Sequence, residues 1–169
     1  LGEHAATAAA RSAAMELAIV RPGMVYGPGS RGWTKGMYRL VKRGTPVLFG
    51  SGGNAYPVYV DDIVDLLIRA GTRDGAAGEA FNGVDHSIGW PEFFGYYGAM
   101  AGRSPRRLPL PVAQLLATAG DLLPVPVPLS RDSLRQYRRN LVFPTDKAVR
   151  LLDRHVHAPL ADGTRRSEQ

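Results

Sequence analysis

Residues 17–22 read Leu-Ala-Ile-Val-Arg-Pro, and this short stretch limits the fold more than any other. Four apolar residues in a row bury both faces of a strand. That pattern suits a central strand of a parallel sheet, with neighbours on both faces and on both edges. Proline then ends the ladder, because it has no N–H to donate. Residues 3–16, just upstream, are dominated by alanine, which loses no side-chain entropy in a helix and permits close packing on a sheet.

Downstream, Gly27-Pro28-Gly29 enforces a loop, residues 33–43 fit a helix, and Gly44 is placed to end it. Pro46–Phe49 and Tyr56–Val60 read as strands, with a glycine-rich turn of hairpin type between them. Acidic residues Asp61 and Asp62 open a helix whose Ile63, Leu66, Leu67 and Ala70 recur on one face. Glu79–Val84 is a strand, and Trp90-Pro91 opens a helix over 90–101. Leu108–Pro111 is extended. Val112, Leu115, Leu116, Ala119, Leu122 and Leu123 mark an apolar helix face, and Pro124–Pro128 is a stiff proline-spaced segment. Ala148, Leu151 and Leu152 mark a last helix entered from Pro144-Thr145, and the polar tail 161–169 is expected to fray. Alternating strands and helices give an α/β class. The expected architecture is a partial Rossmann-type, doubly wound parallel sheet plus a mixed α/β lobe. Residues 1–32 would supply the last helix and strand of the first part. Residues 33–160 would form the lobe, with 79–84 returning to the sheet.

Composition narrows the function. With no cysteine, disulfides and thiolate metal sites are excluded, and no metal site is expected. The formal charge is +6, concentrated in arginine clusters at 103–107, 131–139 and 165–166. Such an excess can attract nucleic acid, anionic membranes or a phosphate-bearing ligand. No nucleic-acid motif frames the clusters, so a solvated basic face is preferred to nucleic-acid binding. No stretch reaches the roughly 18 apolar residues of a membrane span. No signal peptide is evident, and a cytoplasmic location is expected.

Four segments in fixed order carry a family resemblance. They are Ile19-Val20-Arg21-Pro22-Gly23-Met24-Val25-Tyr26-Gly27-Pro28-Gly29, then Pro46–Gly52 with Val58-Tyr59-Val60-Asp61-Asp62, then Gly78–Asn82, then Phe143 through Asp146-Lys147-Ala148 to Leu151-Leu152, Pro159-Leu160 and Gly163. Together they resemble the C-terminal half of extended short-chain dehydrogenases, the NAD-dependent epimerase/dehydratase family. The resemblance implies NAD or NADP as cofactor, touched here only on its nicotinamide side by Pro22, Gly23 and Val25. Arg21 is instead an ion-pair candidate. The substrate-binding candidates it implies are Tyr26, Asn54, Tyr56 and Arg138. A small-molecule substrate is expected. A separate N-terminal segment or a homodimer would be the protein partner.

The family's chemistry needs Tyr-x-x-x-Lys on a helix, one helical face carrying both side chains. Tyr38-x-x-x-Lys42 has the spacing but follows the Arg-Pro strand instead of preceding it, so Tyr38 is read as packing and Lys42 as snorkelling. Gly50-Ser51-Gly52-Gly53 lacks the strand-before, helix-after context of a dinucleotide loop. Asp61-Asp62 invites an acid/base pair, but adjacent residues opening a helix point apart. The chain is therefore expected to hold no catalytic residue, its catalytic pair and fingerprint lying upstream.

For the substrate, Ala55 stands where sugar-nucleotide enzymes of the family carry a phosphate-gripping arginine. With Leu110–Leu123, that favours the 3β-hydroxysteroid-dehydrogenase-like branch, acting on a hydroxyl or carbonyl of a fairly apolar molecule. Trp90, Phe93, Tyr96 and Tyr97 either line such a pocket or form core. Arg135, Arg138 and Arg139 keep a sugar-nucleotide epimerase or dehydratase open as the alternative, and a non-catalytic relative as a third.

Overall fold

The computed structural model describes residues 2–122, 129–157 and 160–166. The proline-spaced segment expected over 124–128 lies outside the described residues. The first helix, α1 (Gly2–Ser12), leads into β1 (Ile19–Pro22), which pairs in parallel with β6 (Ala80–Gly83) in the register Ile19↔Ala80 to Pro22↔Gly83. A second parallel pair joins β2 (Met24–Tyr26) to β5 (Pro57–Tyr59). Gly23 lies where the chain passes from one partner to the other. Its N–H bonds the Gly83 carbonyl at 2.9 Å, and a Cβ there would sit 2.4 Å from the Tyr56 carbonyl oxygen. No side chain fits that gap.

Helix α3 (Val60–Thr72) covers these pairs, burying Ile63, Leu66 and Ala70 with Val58 and Phe81. Leu67, expected on the same face, is 53% exposed. The helix inserts only a narrow stripe, and Leu67 falls beyond its edge. β1 also departs from expectation. Among the described residues it has a strand on one side only, and its residues are half-buried or exposed.

The remaining strands form a parallel pair, β3 (Pro46–Phe49) with β8 (Arg106–Leu108), and an antiparallel pair, β4 (Asn54–Ala55) with β7 (Ile88–Gly89). The hairpin expected around residues 50–54 is thus corrected: the strands on either side of the glycines take different partners. A turn of π-helix, Arg31–Gly36, runs into α2 (Met37–Arg43), closed by Gly44 in the left-handed conformation at φ 73°. Against α2 packs α4 (Trp90–Ala101), and their core holds Val41, Val47, Ala55, Trp90, Phe93 and Tyr97. Trp90, Phe93 and Tyr97 are therefore core, not pocket lining. Tyr38 packs on that core with the Lys42 ammonium 5.4 Å from its ring centre.

Helix α5 (Leu110–Leu122) starts within the stretch expected to be extended, and it faces the other way. Ala113 and Ala117 are buried, while Val112, Leu115 and Leu116 are exposed. It packs on α6 (Arg131–Tyr137), which a reciprocal Ser130–Ser133 capping box opens. Helix α7 (Asp146–Leu152) docks Ala148 and Leu152 against α3. The tail does not fray from residue 161, because α8 (Leu160–Arg166) forms there with Leu160 and Thr164 buried.

Candidate substrate-side site

Ligands of open α/β sheets bind beyond the carboxyl ends of the strands. In this chain that end of the β1–β6 pair is Pro22 and Gly23 beside Gly83, with Tyr56 next to them. Across it runs the segment after α6. The amide of Asn54 donates to the Arg139 carbonyl (3.1 Å) and that of Gly53 to Asn140 Oδ1 (2.9 Å). The Tyr56 hydroxyl accepts from the Leu141 amide (2.7 Å) and donates to the Arg139 carbonyl (3.2 Å). Its ring meets Phe143 edge-on at 4.7 Å. Further along, Asn82 Nδ2 donates to the Pro144 carbonyl (2.9 Å). Two parts of the chain distant in sequence are laced together at the strand ends.

Glycine makes the close approach possible. Gly53 has φ 83°, and a Cβ on it would lie 1.8 Å from the Tyr137 carbonyl oxygen and 3.1 Å from Arg138 Cα. Trp90 holds the same point from beneath: its Nε1–H donates to the Tyr137 carbonyl (2.7 Å), and the two rings stack 4.7 Å apart. Burial pushes the Tyr137 phenol up to about 12. The side chains of Arg138 and Arg139 remain exposed on this braced segment.

The other candidates divide. Pro22, Gly23, Asn54, Tyr56 and Arg138 gather around these strand ends. Asn54 turns its side-chain amide to Ser87 Oγ (3.2 Å). Val25 is paired to Val58 and packs its side chain into the core under α3. Tyr26 is fully buried, 5.4 Å from the Tyr59 ring and covered by Gly163 of α8, with its phenol raised by burial. No substrate reaches Tyr26 while α8 is seated. Arg21 is an ion-pair partner: its guanidinium grips the Glu3 carboxylate with bonds of 2.7 and 2.6 Å. Hydrogen bonding to Arg21 draws the Glu3 carboxyl below its usual range.

Sequence reasoning missed a buried ion pair. Asp85, just past β6, accepts from the Arg154 guanidinium and from the Tyr59 amide (2.7 Å), and both charged side chains are at most 2% exposed. Arg154 also donates to the Val84 carbonyl (3.0 Å). Desolvation raises the Asp85 carboxyl to about 6, against the opposing Tyr59 and Arg154 bonds. Asp62 accepts from the His157 amide (2.9 Å), while its neighbour Asp61 faces water. Together these bonds clasp the C-terminal segment onto α3 and β6. The available signal was positional: a carboxylate at a strand's carboxyl end.

Parallel strand pairs covered by helices, with side chains converging at their carboxyl ends, define an α/β protein of Rossmann-like type. Residues 1–82 match the model of the NAD dependent epimerase/dehydratase family. That stretch carries the Arg-Pro strand, its loop and helix α3. A UDP-glucose 4-epimerase of Vibrio cholerae is 30% identical over 113 residues, which is 65% of this chain and 34% of that protein. Among solved structures, the epimerase Mth375 of Methanothermobacter thermautotrophicus superposes with a TM-score of 0.73 at 23% identity, covering 99% of this chain and 46% of that one. The UDP-glucuronic acid 4-epimerase of Bacillus cereus, solved with UDP-glucuronic acid and NAD, gives 0.68 at 21% identity, covering 98% of this chain and 48% of that one. This chain thus spans less than half the length of these relatives.

Proposed function

We propose that this chain is the substrate-side portion of an NAD-dependent epimerase or dehydratase acting on a sugar linked to a nucleoside diphosphate. The observation that carries this reading is the placement of Arg138 and Arg139. Ala55, where a phosphate-gripping arginine was sought, is sealed in the core and offers no charge. Yet the segment bearing Arg138 and Arg139 is bonded directly onto Gly53 and Asn54, beside that position. Two exposed guanidiniums on a braced backbone suit a diphosphate, which takes paired, charge-assisted hydrogen bonds. Tyr56, held at both its hydroxyl and its ring, orients that segment.

When bound, the nicotinamide cofactor supplies hydride transfer. In this reading Pro22 and Gly23 would border its nicotinamide edge, and Val25, packed in the core, would support them. Gly50–Gly53 runs into β4 and not into a helix N-terminus, so that loop is not the pyrophosphate cradle of this reading. The phosphate cradle and the Tyr-x-x-x-Lys pair would come from polypeptide that pairs with the open edge of β1.

A dehydrogenase acting on a hydroxyl or carbonyl of an apolar molecule is the second reading, favoured by the uncharged Ala55. Titration with UDP, followed by Trp fluorescence or calorimetry, separates the two. The nucleotide-sugar reading predicts saturable UDP binding that weakens about tenfold or more when Arg138 and Arg139 are both changed to Ala. UDP binding that ignores these arginines, or no binding, would favour the apolar-substrate reading.

A further inference from the structure

Helix α5 presents alanines to the body of the protein, with Ala113 and Ala117 fully buried. Toward water it turns Val112, Leu115 and Leu116, exposed by 43%, 69% and 45%. These three sit at i, i+3 and i+4, one continuous helical face. A helix on a water-soluble body ordinarily does the reverse and buries its large side chains. Neighbouring large apolar groups aimed at solvent mark a surface that something covers.

The surrounding charge selects the cover. Residues 102–140 contain seven arginines, two aspartates and neither lysine nor glutamate. Arg106 and Arg107 lead into α5 through β8, and both are exposed. On its flank, Arg131 of α6 reaches Thr118 Oγ1 of α5 (Nε to Oγ1 3.2 Å). Arg135 is exposed on α6, with Asp132 3.4 Å from its guanidinium. Two copies meeting through α5 would press these cationic rims together, which disfavours a second copy. A purely apolar partner would leave the rims unmatched. An anionic bilayer surface answers both features: phosphates meet the arginines while the leucines enter the headgroup–acyl boundary.

We propose that α5 is a peripheral docking helix that seats this protein on an anionic phospholipid surface, through Val112, Leu115 and Leu116 with the flanking arginines. The helix lies on the surface and does not cross it: it has 13 residues, and no helix among the described residues is long and apolar enough to span. The inference does not rest on the substrate proposed above.

Vesicle flotation of the full chain tests it, since aggregated protein stays at the bottom of the gradient. The chain is expected to float with phosphatidylcholine vesicles containing about 30 mol% phosphatidylglycerol and not with phosphatidylcholine alone. Raising NaCl to about 0.5 M should release much of it. Leu115→Glu with Leu116→Glu, both at exposed positions, should cut the floated fraction about tenfold with unchanged far-UV circular dichroism. Leu67→Glu, which charges an exposed apolar position on α3, should float like the parent. The proposal is overturned if the parent does not float with anionic vesicles or the double variant floats equally well. It is also overturned if the parent proves to be a dimer that the double variant splits.

Discussion

Replacing Arg154 by Met would leave Asp85 buried, still accepting from the Tyr59 amide but without the guanidinium against it. The Asp85 side chain is 0% exposed and that of Arg154 is 2% exposed, so solvent screens neither. Removing one member of such a pair costs about 3–5 kcal/mol, because the other charge stays desolvated and uncompensated. A domain holds only about 5–15 kcal/mol in total, so the loss is large. The pH dependence follows from the direction of the shift. Burial pushes the Asp85 carboxyl up to about 6 in the folded protein, above the ordinary 3.8. A carboxyl raised by folding contributes stability that is fully present below its unfolded pKa and is lost as pH rises through its folded pKa. Without Arg154 the folded value climbs further. The penalty of Arg154→Met should therefore be small near pH 4 and grow with pH to its full size above neutrality. Urea unfolding of parent and variant at several pH values measures it. Adding Asp85→Asn to Arg154→Met should recover part of the loss at pH 8. A penalty that is the same at pH 4.5 and pH 8, or below about 1 kcal/mol throughout, would show that Asp85 is not the buried charge described.

Other expectations concern the strand ends. Gly23→Ala places a methyl 2.4 Å from the Tyr56 carbonyl, where backbone must move, and should cost about 1–3 kcal/mol by urea unfolding. Tyr56→Phe removes the hydroxyl shared by the Leu141 amide and the Arg139 carbonyl. It should cost about 1 kcal/mol in stability and weaken UDP binding, read by the same titration as the arginine variants.

Elements with strong local signals were legible in the sequence. The apolar run at 17–20 gave a parallel strand, Gly44 gave a left-handed helix end, and Trp90-Pro91 gave a helix start, because each rests on backbone chemistry within a few residues. Partners were less legible. Nothing local says that β3 pairs with β8 across some sixty residues instead of turning back onto its neighbour. Helix α5 was read for its leucines, and tertiary packing chose its alanines. Burial of Tyr26 depends on α8, which a polar, basic tail does not announce. The Asp85–Arg154 pair joins residues 69 positions apart and leaves no periodic trace.

The central claim is that this chain holds the substrate side and only the nicotinamide edge of a cofactor site shared with other polypeptide. Calorimetric titration of the isolated chain with NAD and with NADP tests it most directly. The account predicts no measurable heat of binding for either cofactor, because it assigns the pyrophosphate cradle to other polypeptide. Tight binding at one cofactor per chain would contradict it.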